Sequence, residues 1–179
     1  MKNIKLYNKT FEIYIPETEI SEIVQNVADE INKSGIKDPL FIAVMNGAFL
    51  FAADVMRKIT IPNAEISFIK LSSYEGTETT GKVDELIGVN DDISGRNIIV
   101  LEDIIDTGIT LEKIISLLKK EEVADIKVAT LLFKPDAYTK DIHIDFIGKS
   151  IPNDFVVGYG LDYDAIGRNL PHIYKLKNE

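Results

Sequence analysis

The feature that most constrains the fold is an apolar run that ends in acidic residues and leads directly into a helical pattern. It extends from Asn97 to Thr110. Ile98 to Leu101 lack polar alternation, which is typical of a strand covered on both faces in a parallel sheet. An apolar stripe with helical spacing follows, made of Leu111, Ile114, Ile115 and Leu118. A buried strand followed by an amphipathic helix predicts an α/β fold.

Three carboxylates stand where this strand is expected to end. Ligands in open α/β sheets bind beyond the carboxyl ends of the strands. We therefore expect Glu102, Asp103 and Asp106 to line a crevice rather than the core. Acids also collect at helix starts because they suit the helix dipole. That reading explains any one of these residues, whereas the whole set after a buried strand favours a functional site.

The start of the expected helix has the properties of a phosphate site. Its first turn presents unpaired N–H groups, with Thr107 or Thr110 available as the N-cap, and Gly108 has no Cβ to keep an anion away. The nearby carboxylates would repel a phosphate unless a divalent cation lay between them. Magnesium is usually held by one or two carboxylates together with substrate phosphates. One carboxylate would remain for proton transfer.

Composition limits the functional classes. With 179 residues and 45% hydrophobic content, the chain fits one globular domain. A net charge of −9 argues against a broad nucleic-acid surface. No apolar run is long enough to span a membrane, and the N-terminus has no apolar signal core. Since cysteine is absent, a reducing compartment is compatible with the sequence, and cytoplasm is the expected location.

Strand and helix patterns alternate along the chain. Strands are expected at residues 11–15, 40–44, 64–71, 98–101, 127–133, 145–147 and 155–157, followed by a tail that closes with residues 172–176. Helices are expected at about 17–35, from the turn at 46–48 to about 59, and at 106–118. Residues 72–90 are polar and form an expected mobile lid. Within them, residues 76–83 nearly match a nucleotide-binding loop, but Val83 lacks the hydroxyl that binds magnesium. His143 and His172 lack metal-ligand spacing, which favours structural roles.

Two motifs carry a resemblance to a known family. The string Val100 to Gly108 resembles the phosphoribosyl-diphosphate (PRPP) motif of type I phosphoribosyltransferases. Phe155 to Tyr163, with Arg168 beyond it and Lys134 before it, resembles the hypoxanthine-guanine branch. The resemblance implies a single α/β domain over residues 1–179, with a mainly parallel twisted sheet flanked by helices. It also implies a core at about 36–150, a lid at about 72–90, and a small hood from the N-terminal segment and about 151–179.

The resemblance assigns roles to the PRPP motif. It implies that Asp106 is the catalytic base at purine N7 and that Glu102 and Asp103 face the ribose hydroxyls and Mg²⁺. The 5′-phosphate would lie against the helix start, which consists of Thr107, Gly108, Ile109 and Thr110. Ile109 occupies a position that is lysine in some relatives.

The second motif would contact the base and the leaving group. By resemblance, Lys134 would contact the 6-oxo group, Phe155 would stack on the purine, and Val156 would meet its far edge through the backbone. Asp162 would bind a Mg²⁺ ion and Arg168 would approach the pyrophosphate. Read without the family, these residues are a core strand, a turn acid and two solvated cations.

Two further segments complete the comparison with the family. The pyrophosphate loop, often Leu-Lys-Gly-Gly in relatives, reads Met45-Asn46-Gly47-Ala48 here, so a cationic side chain is missing and Asn46 and Gly47 would bind through the backbone. A strained peptide at Met45–Asn46 is implied by the relatives. Ser73 and Tyr74 match the serine-tyrosine pair of the family's mobile loop.

The resemblance implies a Mg²⁺-dependent purine-salvage enzyme that transfers phosphoribose from PRPP to hypoxanthine and guanine. An ammonium at Lys134 donates hydrogen bonds and accepts none, which matches a 6-oxo group and opposes the amino group of adenine. A guanine- or xanthine-preferring enzyme is one alternative. A PRPP-sensing regulator that binds nucleic acid is the other, but no basic face is evident. Family members often form homodimers or homotetramers.

Overall fold

A computed structural model describes residues 3–71, 85–87 and 92–177, with only the backbone described for 85–87. Ten strands lie in this part of the chain: β1 (Ile4–Leu6), β2 (Lys9–Ile15), β3 (Pro39–Val44), β4 (Glu65–Leu71), β5 (Glu85–Ile87), β6 (Asn97–Ile105), β7 (Asp125–Phe133), β8 (Phe146–Ser150), β9 (Val156–Val157) and β10 (Ile173–Leu176). Three helices accompany them: α1 (Glu17–Lys33), α2 (Phe49–Met56) and α3 (Ile109–Lys120).

The larger sheet has six strands in the order β5-β4-β3-β6-β7-β8. All of its pairs are parallel except that between β4 and β5. Strand β6 is central, with Ile99 opposite Phe41 of β3 and Lys127 of β7. The expected α/β fold with a mainly parallel sheet is confirmed.

Helices cover both faces of this sheet. Alternate residues of β6 belong to two separate core clusters, with Leu101 on the side of α1 and α2 and Val100 on the side of α3. The predicted apolar stripe of α3, from Leu111 to Leu118, is buried as expected. Since β3 is buried at every position, its uninterrupted apolar sequence is explained by cover on both faces.

A second, smaller sheet is built from the two ends of the chain. It is antiparallel, in the order β1-β2-β10-β9. Phe11, Val157 and Tyr174 form its own core cluster. The side chain of His172, just before β10, accepts a hydrogen bond at Nδ1 from the backbone N–H of Glu17, 2.9 Å away, at the start of α1. No helix in the described residues is long and apolar enough to cross a membrane.

Two expected boundaries are wrong. Strand β6 continues past Leu101 to Ile105, because its ladder with β7 extends to the pair Ile105 and Phe133. Helix α2 ends at Met56 rather than near residue 59, because Lys58 N–H bonds to the carbonyl of Val55 and the last turn tightens.

The expected N-cap of α3 is also wrong. Neither threonine is the N-cap residue, although Thr107 Oγ1 accepts a 3.5 Å hydrogen bond from the N–H of Ile109. The N-cap is Gly108, whose backbone is left-handed at φ 81°, and it provides no side-chain hydrogen bond. The lid expected at 72–90 lies outside the described residues except for β5, and so does the near-match to a nucleotide-binding loop at 76–83.

Candidate active site

Three segments that are distant in sequence meet beyond the carboxyl end of β6. They are the 45–48 loop, the end of β6 at Asp103, and the turn at residues 158–162. A Cβ atom at Gly47 would coincide with the Asp103 carboxylate, and a Cβ at Gly160 would collide with the Gly47 carbonyl oxygen. Only glycine therefore fits at position 160 without a backbone shift, whereas a side chain at position 47 would require the Asp103 carboxylate or the loop to move. The expected pyrophosphate loop is in direct contact with a carboxylate and with the segment that leads to Asp162.

The two neighbouring carboxylates of β6 do not share one face of the sheet. Side chains alternate along a strand. Asp103 lies against Gly47 on the α2 side, whereas Glu102 lines a cavity with the start of α3. Glu102 is only 5% exposed, yet it lines this cavity rather than the apolar core, as the sequence predicts. It lies inside the ladder opposite Thr130, because β6 continues past it.

Both carboxylates are electrostatically unfavourable in their charged forms. Burial raises the pKa of Asp103 to about 6, and the charge of Asp162 adds to the rise, while backbone N–H groups and Arg168 oppose it. Burial raises the pKa of Glu102 well above its ordinary value, with a further contribution from Asp103. The positive charge near Glu102 and Asp103 is therefore too small to offset the cost of burying their ionised carboxylates.

This donor set fits a magnesium ion that arrives with a phosphorylated ligand. Within the described ranges, no group of three or more His, Asp or Glu side chains could hold a metal ion unaided. Magnesium is typically bound by one or two carboxylates, with substrate phosphates and waters completing its shell. Asp103 provides such a carboxylate, and the charge of Asp162 is close enough to raise the Asp103 pKa.

The segment from Glu102 to Leu111 lines a cavity of about 180 Å³ at the start of α3. The predicted phosphate-binding residues Thr107, Gly108, Ile109 and Thr110 all belong to this lining. Gly108 is required by its left-handed backbone and by Tyr138, whose Cε2 atom would lie 2.5 Å from an added Cβ. The N-terminus of α3, with its unpaired N–H groups, therefore opens into a small cavity that suits an anion.

A segment after β7 supports this cavity from outside. Thr139 donates two hydrogen bonds to the carbonyl of Thr107, from its backbone N–H at 3.3 Å and from its hydroxyl at 3.1 Å. In a trans peptide the C=O and the following N–H point in opposite directions. Anchoring the Thr107 carbonyl on Thr139 therefore turns the N–H of Gly108 away from Thr139. The sequence motifs did not indicate this support.

Lys134 and Asp106 form an ion pair beside the cavity. The Lys134 ammonium is 2.9 Å from Asp106 Oδ1, and the lysine side chain is 7% exposed while that of Asp106 is 47% exposed. The Lys134 backbone N–H also bonds to the carbonyl of Ile105 at 3.0 Å, which fixes the end of β7 against the end of β6. A donor and an acceptor, predicted separately from two motifs, thus lie side by side.

Asp162 and Arg168 are also brought together. Arg168 Nη2 lies 2.6 Å from Asp162 Oδ1, and Nη1 donates to the carbonyl of Gly160 at 2.7 Å. The second carboxylate oxygen of Asp162 accepts from the N–H of Ala165 at 2.7 Å. These residues were predicted to contact metal and pyrophosphate separately, whereas here they are direct partners.

Phe155 lies on an exposed aromatic surface of the smaller sheet. It is 43% exposed, and its ring is 5.7 Å from that of Tyr163 and 6.1 Å from that of Phe11. The Lys9 ammonium lies 5.2 Å from the Phe155 ring centroid. The neighbouring Val156 is buried in β9. An exposed ring held by other rings can stack on a flat heterocycle.

The remaining predicted residues have mixed outcomes. Ile109 is 49% exposed and Asn46 is exposed, so each is accessible to a ligand. The peptide bond between Met45 and Asn46 is cis, as the relatives imply. Ser73 and Tyr74 lie outside the described residues.

Comparison with known proteins places this fold in a class of transferase. Residues 15–164 match the family described as the phosphoribosyl transferase domain, and the chain belongs to this family. Hypoxanthine-guanine phosphoribosyltransferase of Staphylococcus aureus is 36% identical over 176 residues, which are 97% of this chain and 98% of that protein. Hypoxanthine phosphoribosyltransferase of Salmonella typhimurium is 37% identical over 172 residues, 93% of this chain and 96% of that protein.

Two solved structures are similar to this chain in fold as well as in sequence. The crystal structure of a hypoxanthine-guanine phosphoribosyltransferase from Bacillus anthracis superimposes with a TM-score of 0.83 at 38% identity, covering 93% of this chain and 97% of that one. A hypoxanthine phosphoribosyltransferase structure from Staphylococcus aureus has a TM-score of 0.84 at 36% identity, covering 93% and 91%. The type I phosphoribosyltransferase fold is thereby established for this chain.

Proposed function

We propose that this protein transfers the 5-phosphoribosyl group from PRPP to hypoxanthine, and to guanine, with release of pyrophosphate. The observation that carries the proposal is the Lys134 and Asp106 pair. A 6-oxopurine presents an acceptor at the 6-oxo group next to a donor at protonated N7. An ammonium and a carboxylate 2.9 Å apart offer the complementary donor and acceptor in the same adjacent order.

Asp106 is the proposed catalytic base. When N9 of the purine attacks C1 of the ribose, N7 must lose its proton, and the exposed Asp106 carboxylate is able to accept it. Lys134 stabilises the negative charge that develops on the 6-oxo group during this attack. Phe155 stacks on the ring, and the backbone of Val156 meets the edge remote from Lys134.

The phosphoribosyl donor extends along the 102–110 junction in this proposal. Thr107 to Thr110 hold the 5′-phosphate through backbone N–H groups and hydroxyls at the start of α3. Glu102 and Asp103 accept hydrogen bonds from the ribose hydroxyls. Asn46 and Gly47 contact the pyrophosphate through the backbone, and Arg168 adds a positive charge from the other side.

Magnesium would be held by Asp103 and Asp162, with Glu102 close by. When bound, it neutralises charge on the leaving pyrophosphate, which a protein of net charge −9 is poorly suited to stabilise. Binding of the ion relieves the unfavourable burial of Asp103. Exchange of Arg168 from Asp162 to pyrophosphate would free the Asp162 carboxylate for this role.

Two structural proposals accompany the reaction. The smaller sheet forms a hood over the base, since it carries Phe155 and Val156. A homodimer or homotetramer in the cytoplasm is the expected working form, and light scattering measures the assembly directly.

The test is pyrophosphate release from PRPP and Mg²⁺ with hypoxanthine, guanine, xanthine or adenine in parallel, with formation of each nucleotide monitored. Turnover with 6-oxopurines and poor turnover with adenine is the expected result. Guanine or xanthine as the best substrate would support the alternative enzyme. PRPP binding without turnover, combined with salt-dependent nucleic-acid binding, would favour a regulator instead.

A further inference from the structure

The turn that carries Asp162 has an unusual backbone. Three consecutive residues are left-handed, Gly158 at φ 101°, Tyr159 at φ 48° and Gly160 at φ 98°. Glycine adopts this region freely, but a tyrosine there is uncommon and is maintained only when surrounding contacts fix it. Tyr159 N–H bonds to the carbonyl of Leu170 at 2.8 Å, which fixes the backbone. The side chain has a second anchor.

Tyr159 is bound through its hydroxyl to the helix that follows the 45–48 loop. The hydroxyl donates to Asp54 Oδ2 of α2 at 2.6 Å, and the residue is 7% exposed. This length is typical of a hydrogen bond from a hydroxyl to an ionised carboxylate. Burial, and then the bond to Asp54, raise the pKa of Tyr159, so the hydroxyl stays protonated and remains a donor at physiological pH.

Two contacts therefore join the same pair of segments. Gly160 is pressed against the carbonyl of Gly47 in the 45–48 loop, and Tyr159 is bonded to Asp54 in α2, which begins directly after that loop. The turn leads on to Asp162 and Arg168, whose guanidinium bonds to the carbonyl of Gly160. A shift of the turn relative to α2 would change the spacing between Asp162, Arg168 and the loop.

We propose that Tyr159 and Asp54 are positioning residues that set the distance between the 45–48 loop and the Asp162–Arg168 pair, and thereby the affinity for magnesium pyrophosphate. This inference rests on the proposed function, in which the loop and the pair bind opposite sides of the leaving group. Neither residue is among the proposed substrate contacts. Their substitution is expected to change the affinity for pyrophosphate and PRPP, and to leave the affinity for the base and the 5′-phosphate unchanged.

Substitutions at both residues are compatible with folding. Asp54 is 40% exposed and lines, with Tyr159, a cavity of about 570 Å³, so its replacement leaves no buried charge without a partner. Tyr159→Phe keeps the ring and removes only the hydroxyl. Asp54→Asn retains an oxygen that accepts from Tyr159, whereas Asp54→Ala removes the acceptor.

The experiment measures pyrophosphate binding in the presence of Mg²⁺ by calorimetry, and separately binding of inosine monophosphate. Tyr159→Phe and Asp54→Ala are expected to weaken pyrophosphate binding about tenfold, the size of effect typical of losing one hydrogen bond to a charged group. Asp54→Asn is expected to restore affinity to within about threefold of wild type. Binding of the nucleotide should be unchanged in all three variants.

A structural control separates positioning from general destabilisation. Asn32 bonds α1 to the end of α2 through the Lys58 carbonyl and the Thr60 N–H. Asn32→Ala is expected to lower the Tm without changing pyrophosphate affinity. Equal weakening of pyrophosphate and nucleotide in Tyr159→Phe, or an unchanged pyrophosphate affinity, would overturn the inference alone. Wild-type protein that neither binds pyrophosphate nor forms nucleotide would overturn the proposed function and this inference with it.

Discussion

The Asp103 carboxylate occupies the space that a Cβ atom at Gly47 would fill. A carboxylate at the end of a buried strand and the backbone of the 45–48 loop are thus packed without room for a side chain between them. In the proposed function, this loop contacts pyrophosphate through its backbone. Its position is therefore tied to that of Asp103.

Gly47→Ala is expected to displace either the loop or the Asp103 carboxylate, since the new methyl group and the carboxylate cannot both keep their places. We expect pyrophosphate affinity in the presence of Mg²⁺ to fall roughly 10- to 100-fold, because a displacement of about 1 Å is enough to disrupt a preorganised site. Calorimetry measures this directly.

Gly95→Ala is the matched control for glycine replacement. Gly95 lies at φ 70° and an added Cβ would meet nothing within 4 Å. The variant should lose about 1 kcal/mol of stability from backbone strain, with pyrophosphate affinity unchanged. Unaltered affinity in Gly47→Ala as well would show that the loop does not bind the leaving group.

Lys134→Met is expected to abolish discrimination between bases. The substitution keeps the length of the side chain and removes the ammonium that pairs with Asp106. We expect kcat/KM for hypoxanthine to fall about 100-fold, since a hydrogen bond from a charged group contributes up to about 3 kcal/mol. Initial rates with hypoxanthine and adenine measure the ratio. Lys127→Met, which removes the partly exposed partner of Asp145 from β7, is the control. Preference for hypoxanthine over adenine retained in Lys134→Met would exclude the proposed contact.

Asp103→Asn is expected to stabilise the metal-free protein at neutral pH. The pKa of Asp103 is raised to about 6 in the folded state, so the folded protein binds more protons than the unfolded chain above about pH 4. Stability therefore falls as pH rises from about 4 through 6, by at most about 3 kcal/mol, since one pKa unit corresponds to about 1.4 kcal/mol. The gain in Tm of Asp103→Asn should be absent at pH 3.5 and largest above pH 7.

Thermal unfolding in a chelator across this pH range tests the prediction. Asp136→Asn, which alters an exposed carboxylate after β7, should follow the wild-type profile. A constant difference between Asp103→Asn and wild type at all pH values would mean that proton uptake by Asp103 is not its cause.

Thr139→Val is expected to weaken binding of the 5′-phosphate without affecting pyrophosphate. Valine keeps the shape of threonine but loses the hydroxyl that bonds to the Thr107 carbonyl, while the backbone N–H bond remains. We expect a loss of about 3- to 10-fold in affinity for ribose 5-phosphate, since one neutral hydrogen bond contributes about 1 kcal/mol. Fluorescence or calorimetric titration measures it. Thr139→Ser retains a hydroxyl and should bind like wild type, so equal affinity of the valine and serine variants would contradict the role.

Local sequence patterns were sufficient to predict secondary-structure elements and part of the candidate site. β3 and β6 are buried on both faces, so their apolar residues are uninterrupted. α3 is buried on one face, so its apolar residues form a stripe. Each segment therefore shows its burial in its own periodicity. The acids and the glycine of the 102–110 junction could be recognised because a strand, a turn and a helix start are adjacent in the chain. The end of β6 could not be read in the same way, because it depends on how far β7 continues the ladder.

The sequence by itself determined the class of fold, the proposed phosphate site at the start of α3 and the residue types of the proposed base site. The tertiary structure alone decided how far β6 extends, and therefore that Glu102 and Asp103 both lie within it, and that Tyr159 bonds to Asp54. The physical reason is the distance along the chain over which each kind of interaction acts. Periodicity, capping and turn chemistry act within a few residues, whereas contacts between residues 105 positions apart depend on how strands and helices are stacked.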